Sequence, residues 1–381
     1  MKEQDKNNPE ISIILPCRNE EQALLICLKQ IKEVVKKNNL SAEIIVSDSS
    51  NDKSPKIVKK EGAILVKHDK EGYGRAYLEA FRVAKGKYIF MADADASYDF
   101  REIPNFIKQL KGDSDMVVGN RFAGKIHPGA MTFSHKYIGN PILSFILRLF
   151  FKTKIRDSQC GMRAIKKDML EKLNLQTAGM EFASEMIIKA IKNNLKIKEL
   201  AVSYYPRIGE SKMKSFRDAW KHVRFMLLYS PLFLFFIPGL IIFALGTISL
   251  FWFYFYSPVI FGIKLYSHPM FLSSLLAIIG YQLITFSAFA KIYSITNLKE
   301  KNPAMEKLFK YITIEKACIL GFFIIFIGVA IFVTITIKWI SSGFGSLNEI
   351  KNSIVALTLL TIGAQTIFSS FMLSILGIKE K

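Results

Sequence analysis

Cysteine is scarce in this chain of 381 residues: Cys17, Cys27, Cys160 and Cys318 stand in no paired or metal-ligand spacing. That excludes a disulfide scaffold and a thiolate zinc site, and it suits a reducing compartment. Acidic residues are outnumbered, 32 Asp and Glu against 52 Lys and Arg, for a net charge of +20. Such an excess could point to nucleic acid. However, much of it borders long apolar stretches, where attraction to anionic lipid is the simpler cause, and no RNA- or DNA-binding motif is present. The opening "MKEQDKNNPE" runs into a strand-like segment instead of a small-residue cleavage site, so no cleavable leader is expected.

What the chain has in quantity is apolar sequence, 50% of its residues, and it is unevenly spread. Up to about Met226, charges alternate with short apolar runs. Beyond it lie four stretches, roughly 226–256, 270–293, 317–338 and 353–377, each reaching the ~20 residues a helix needs to cross a hydrocarbon core. A four-span membrane domain over 226–381 is the expectation. Few charges lie inside the spans, which argues against a polar translocation route. Lys291, Lys299, Lys301, Lys307, Lys310 and Lys316 crowd the second gap, whereas the first carries only Lys264 and the third Lys338 and Lys351. With Arg207, Lys212, Lys214, Arg217, Lys221 and Arg224 before the first span, this places the N-terminal domain, the middle loop and the C-terminus on the cytoplasmic face of the plasma membrane.

In the N-terminal part, "ISIILP", "AEIIVSD", "AILVKH", "KYIFMAD" and "DMVVGN" alternate with helix-length amphipathic segments. This predicts an α/β domain with a largely parallel sheet, whose ligands gather beyond the carboxyl ends of the strands. The polar residues there are Arg18 and Glu20, Asp48 and Asp52, Asp93 and Asp95, and Arg121. "GYGRAY" (72–77) fails as a dinucleotide fingerprint, because Tyr77 stands where a small residue is needed and the segment follows the third strand. In "KYIFMADADASYDF", Asp93 and Asp95 are one residue apart and repel each other. Hard oxygen donors in that arrangement suit Mg²⁺ or Mn²⁺ bridging to a phosphorylated substrate.

The segments "ILPCRNEE" (14–21), "IIVSDSSND" (44–52), "MADADASYD" (91–99), "GNRF" (119–122), "RDSQCGMRA" (156–164), "GMEFASEM" (179–186) and "RIGESK" (207–212) stand in the order found in one family. Through them the chain resembles family 2 glycosyltransferases of the GT-A fold, and most closely the polyprenyl-phosphate (dolichol-phosphate) mannosyl- and glucosyltransferases with an attached membrane domain. The resemblance implies a GT-A (Rossmann-like, largely parallel sheet) domain over 1–214, followed by the four-helix α-helical transmembrane domain. It implies a nucleotide-sugar site, for a UDP- or GDP-hexose, at Pro16, Arg18, Glu20, Asp48, Asp93, Ala94, Asp95 and Arg121. Asp93 and Asp95 would hold Mg²⁺ or Mn²⁺. Ser97 stands where many mannosyl members carry Gln, so Ser97, Asp99 or water could complete the shell and the sugar stays open between glucose and mannose. Asp95, Arg121, Asp157, Arg207 and Lys212 are the implied catalytic set, with Gly161 in the same segment as Asp157. Arg163, Arg207, Ser211 and Lys212 are the implied binders of a polyprenyl or dolichyl phosphate. The chemistry implied is metal-dependent transfer of one hexose with inversion, giving a β-linked lipid-phosphate sugar for glycan assembly.

Transfer to diacylglycerol or ceramide is the competing enzymatic reading, and a lipid-sugar translocator or inactive scaffold the non-enzymatic one. The absence of a Q-x-x-R-W signature disfavours a processive polysaccharide synthase. Residues 137–152 are too short for a span and carry Arg148, which suggests an interfacial helix. Residues 215–225 suggest a second, with Phe216, Trp220 and Val223 at helical spacing. Glu181 and Glu185 lie one turn apart and could line the acceptor or sugar pocket. His127 reads as a loop residue. Gln282 and Gln365, within the apolar stretches, are expected to bond between helices.

Overall fold

The computed structural model describes residues 8–209, 215–260, 263–296 and 314–377. The chain divides into two compact units, Met1–Tyr229 and Ser230–Lys381.

In the first unit, the β-branched runs form strands because both faces of the sheet are covered. β1 (Ile11–Cys17), β2 (Ala42–Asp48), β3 (Ile64–Lys67), β4 (Tyr88–Met91), β5 (Met116–Asn120), β6 (Arg163–Lys166) and β7 (Ile197–Ala201) make one seven-stranded sheet in the order β3-β2-β1-β4-β6-β5-β7. All neighbours pair in parallel except β6, which runs antiparallel to both β4 and β5. Strand β6 was not foreseen: "RAIK" offers neither an apolar run nor clear alternation. The fourth strand is shorter than expected and ends at Met91, so Asp93 and Asp95 lie in the loop beyond it. The crossover helices are α1 (Glu21–Lys37), α2 (Ser54–Lys60), α3 (Tyr73–Phe81) and α4 (Ile103–Lys111). After β5 come α5 (Asn140–Phe151), α6 (Lys167–Leu173), α7 (Phe182–Lys192) and α8 (Ser215–Leu228).

Arg163, at the start of β6, is only 2% exposed. Its Nε, Nη1 and Nη2 donate to the carbonyls of Cys160, Ala183 and Ser158 at 2.9, 2.7 and 2.8 Å. One rigid fork thus ties the loop before β6 to α7. This corrects the expectation that Arg163 binds an acceptor phosphate, because the group is buried and its donors are spent on backbone. Glu185 is a second brace. Its buried carboxylate accepts from Gln176 N, Thr177 N and Thr177 Oγ1 and pairs with Lys189 at 2.7 Å, so it pins the 176–178 loop instead of lining a pocket. Helix α8 belongs with this unit. Its His222 is buried and shares a 2.8 Å hydrogen bond between Nδ1 and Ser184 Oγ of α7, and burial lowers the imidazole pKa to about 4.

The second unit contains four apolar helices long enough to cross a membrane: Leu232–Phe255, His268–Thr296, Ile314–Ser341 and Ile350–Gly377. The first opens with a turn of π-helix over Leu232–Phe236 and continues as α9 (Ile237–Phe255); the others are α10, α11 and α12. The first begins later than its composition suggested, because 226–228 complete α8 and Pro231 lies between the two helices. Helices α9 and α10 approach closely where a side chain is missing. A Cβ on Gly246 would lie 2.3 Å from Ala277 N. Neither glutamine meets its expectation. Gln282 is exposed, and Oε1 of Gln365 is buried with no hydrogen-bond partner among the described residues.

Arg163→Lys keeps the charge but replaces a three-way fork with one point donor. It should lower stability by roughly 2 kcal/mol, since buried carbonyls are left unpaired. Thermal unfolding of the detergent-purified chain measures this, and an unchanged midpoint would remove Arg163 as a brace.

Candidate active site

The loop after β4 is shaped by its own side chains. Asp95 Oδ1 accepts from Ser97 N at 3.1 Å and Ser97 Oγ at 2.5 Å, and Ala96 between them sits at φ 63°. A left-handed alanine costs energy, and such strain persists where the surroundings enforce it. Here residues 202–208 do so, running alongside the loop. Tyr205 N donates to Ser97 O and Ile208 N to Asp95 O, both at 2.9 Å. That pairing delivers Arg207 to the carboxylates. Its Nη1 lies 3.7 Å from Asp95 Oδ2 and its Nη2 3.1 Å from Glu20 Oε1, while its Nε is buried without a partner among the described residues.

Asp93 is held from two sides. Tyr73 Oη, at the start of α3, donates to its Oδ1 at 3.1 Å. On the other side Gly161 passes so close that a Cβ there would lie 2.4 Å from Asp93 Oδ2. Gly161 N donates to Tyr98 Oη at 2.8 Å, which fixes that approach. Burial first, and then the neighbouring charge of Asp95, raise the Asp93 pKa to about 7; Tyr73, Arg121 and Arg207 oppose the rise.

Arg121 is buried and gives Nε and Nη2 to the two oxygens of Asp157, each at 2.8 Å, with its guanidinium 5.0 Å from the Tyr204 ring centre. Asp157 is fully buried and also accepts Arg121 N at 3.0 Å. Asp157 is therefore the orienting partner of Arg121.

At the neighbouring strand ends, Pro16 pairs with Ser47 across β1 and β2. Asp48 is fully buried and accepts from Ser50 Oγ at 2.5 Å and Lys67 Nζ at 2.9 Å. Arg18 is exposed and paired with Glu71 at 2.6 Å. Ala94 is buried between the two aspartates. Asp99 caps the short helix that follows and pairs with Arg101, and Ser97 is buried with its hydroxyl turned to Asp95. Both are supports of the loop, which corrects the reading of either as a third metal ligand. Glu181 folds over Gly179 and leaves its Oε2 buried and unpartnered among the described residues. His127 stacks on Tyr205 with ring centres 4.2 Å apart. Ser211 and Lys212 lie outside the described residues. The structure therefore gathers Asp93, Asp95, Arg121, Arg207 and Glu20 beyond the carboxyl ends of the parallel strands and sets Arg163 and Glu185 apart as braces. Residue reading missed Tyr73, Tyr98 and Tyr204. The first two were visible inside "GYGRAY" and "MADADASYD", but only the fold shows which polar atoms they hold.

Among the described residues no cluster of three or more His, Cys, Asp or Glu could hold a metal. Two adjacent carboxylates, one of them strained towards protonation, still fit a hard divalent cation, because Mg²⁺ and Mn²⁺ characteristically take one or two carboxylates and fill the remaining positions with phosphate and water.

A largely parallel sheet with paired aspartates and arginines at its strand ends, joined to four apolar helices, defines a membrane-anchored enzyme of GT-A type. The comparisons agree. The profile "Glycosyl transferase family 2" matches residues 12–174, and "Glycosyltransferase family 2 C-terminal transmembrane region" matches residues 288–377. The low-salt glycan biosynthesis hexosyltransferase Agl6 of Haloferax volcanii is 36% identical over 373 residues, 97% of this chain and 89% of that one. The dolichyl-phosphate hexose transferase of the same organism is 26% identical over 208 residues, 54% of this chain and 88% of that one. Among solved structures, glucosyl-3-phosphoglycerate synthase from Mycobacterium tuberculosis is similar with a TM-score of 0.48 and 18% identity, over 58% of this chain and 80% of that one. The chain belongs to glycosyltransferase family 2. It is a sugar-transferring enzyme and an integral membrane protein.

Gly161→Ala should displace the Asp93 carboxylate by about an ångström and reduce kcat roughly 100-fold, with the melting temperature little changed. Full activity in that variant would show that the close approach is incidental. A second test uses pH. A carboxyl raised to about 7 is protonated below that value and must lose its proton to take a cation. In the metal-free protein, ionising it costs stability as pH rises from the ordinary carboxylate range through about 7. Added Mn²⁺ should therefore raise the melting temperature more at pH 8 than at pH 6, and Asp93→Asn should flatten the difference. Equal rises at both pH values in the unsubstituted protein would take Asp93 out of metal binding.

Proposed function

We propose that the enzyme moves one hexose from a nucleotide sugar to a polyprenyl or dolichyl phosphate at the cytoplasmic membrane face, with a divalent cation at Asp93 and Asp95. The observation carrying this reading is the convergence of Arg207, whose buried Nε has no partner among the described residues, on the aspartate pair: an arrangement complementary to an anionic group set between carboxylates and guanidinium. The similar proteins of Haloferax volcanii, a hexosyltransferase and a dolichyl-phosphate hexose transferase, support the sugar and acceptor classes.

The cation, when bound, offsets the charge of the donor diphosphate. The protein does the rest. Glu20 and Asp95 hold Arg207 where it can stabilise the departing diphosphate, whose negative charge grows as the sugar gains oxocarbenium character. Asp157 keeps Arg121 oriented behind the aspartates, where its positive field favours their ionised form. An oxygen of the lipid phosphate forms the new bond to the anomeric carbon, and the bond from that carbon to the diphosphate breaks, its electron pair leaving with the nucleoside diphosphate. The attacking phosphate is already anionic, with a second ionisation near ~6 by analogy with phosphorylated side chains. No proton needs to be removed, so the step calls for no general base. Direct displacement inverts the anomeric centre, giving a β-linked product from an α-linked donor.

The first unit carries the means to reach that acceptor. On α5 and the turn before it, Ile138, Ile142, Phe145 and Leu149 are exposed and recur on one face, and on α8 Phe216 is 89% exposed with Trp220 one turn on. Lys136, Arg148, Arg217 and Arg224 flank these faces. Apolar rows edged by cations suit an anionic bilayer surface, and we assign both helices to that interface.

The purified chain incubated with polyprenyl phosphate, Mg²⁺ or Mn²⁺ and a panel of UDP- and GDP-hexoses should yield one β-linked lipid-phosphate sugar. Asp95→Asn should abolish it while the protein stays folded. Product from diacylglycerol alone would transfer the assignment to another lipid acceptor, and an active Asp95→Asn would refute the metal site.

A further inference from the structure

The segment "GYGRAY", which fails as a dinucleotide fingerprint, opens α3 against the loop before α7. A Cβ on Gly72 would lie 2.2 Å from Ala178 O, and one on Gly74 2.2 Å from Thr177 O. The two backbones also bond directly, Gly74 N to Gly179 O at 3.2 Å and Arg75 N to Ala178 O at 3.0 Å. No residue with a side chain fits at either glycine, so the first turn of α3 is clamped to a loop that Glu185 pins in turn. Tyr73 stands between the two glycines. Its ring packs edge-on against Tyr77 and Phe182, with ring centres 5.2 and 6.4 Å away. Backbone and ring are both fixed, and the hydroxyl donates to Asp93 Oδ1 at 3.1 Å.

The last torsion of an aspartate side chain is broad, so nothing intrinsic decides which way its carboxylate faces. Asp95 is turned by Ser97 within its own loop. Asp93 has no such local partner, and Tyr73 is the only hydrogen-bond donor to its carboxylate among the described residues. A partner that orients a metal-ligating carboxylate from behind governs how well the ligand meets the ion. Tyr77, one turn further along α3, supplies the contrast: it is fully buried, and its hydroxyl has no hydrogen-bond partner among the described residues. We propose that Tyr73 is a positioning residue for the metal site, turning the Asp93 carboxylate for a divalent cation and held to that task by the clamp of α3 on the 177–179 loop. The proposal rests on the reading of Asp93 and Asp95 as the ligands of that cation.

Mn²⁺ titrated into the detergent-purified full chain, with the free ion followed by electron paramagnetic resonance, tests this. Tyr73→Phe should weaken binding roughly 10-fold, the lower end of what removing an outer partner of a metal ligand costs. Tyr77→Phe deletes a hydroxyl with no partner from the same packing and should bind as the unsubstituted chain does. In the transfer assay, Tyr73→Phe should need more Mn²⁺ by the same factor for its half-maximal rate and regain most of kcat at saturation. A mere packing defect would lower kcat at every Mn²⁺ concentration. Equal affinity in Tyr73→Phe and the unsubstituted chain, with binding lost in Asp93→Asn, would overturn the role of Tyr73 and leave the metal site standing. An equal loss in Tyr77→Phe, or a kcat that Mn²⁺ does not restore, would overturn it too. No binding by the unsubstituted chain, or binding unchanged in Asp93→Asn, would remove the metal site itself and the role of Tyr73 with it.

Discussion

Two carboxylates one residue apart, partly withdrawn from water, constrain everything else at the carboxyl ends of the strands. Burial and mutual repulsion drive Asp93 towards its protonated form and raise its pKa to about 7. The surrounding groups divide the task of holding the pair. Ser97 fixes Asp95 from within the loop, Tyr73 fixes Asp93 from α3, and Arg207 and Arg121 supply positive charge from two other segments. The left-handed Ala96 belongs to the same constraint, since the turn that separates the two side chains is one an alanine does not choose unaided.

Each cation in this arrangement is itself restrained by an acid. Arg121 is locked by Asp157 in a buried bidentate pair, whereas Arg207 spans Glu20 and Asp95 at longer range and keeps a buried nitrogen free among the described residues. The difference matters chemically. A buried, doubly bonded guanidinium acts through its field and changes little as substrate arrives, since breaking such a pair leaves an uncompensated buried charge. A loosely held one can exchange a carboxylate for a phosphate oxygen at small cost. Of the two, Arg207 is the better suited to meet a leaving group whose charge appears only during the reaction.

The parts legible in the residues were those whose signal is local. Apolar length marked the four membrane helices, runs of Ile and Val marked β1, β2 and β5, and the position of Asp93 and Asp95 after such a run marked the site. Roles set by long-range packing were not legible. Arg163 and Arg121 read alike as basic residues near short motifs, yet one spends its donors on three carbonyls and the other on Asp157, because β6 enters the sheet antiparallel between β4 and β5 and carries Arg163 inward. No pattern in "RAIK" announces that reversal. Glu181 and Glu185 share a helix face by spacing, but only the loop before α7 decides that Glu185 is consumed by backbone amides.

The same distinction separates the two units. In the first, the buried charges that brace the fold are answered from within the chain: Arg163 by carbonyls, Asp157 by Arg121, Glu185 by amides and Lys189. In the second, the hydroxyls of Ser274, Thr358, Tyr281 and Thr366 find partners between α10 and α12. Water completes such groups at a soluble surface, so a lost pairing there costs little. Inside a bilayer no solvent stands ready, and a hydroxyl must be answered by a neighbouring helix or by its own backbone. The apolar composition that made the spans easy to recognise is therefore also what gives these few polar pairings their weight.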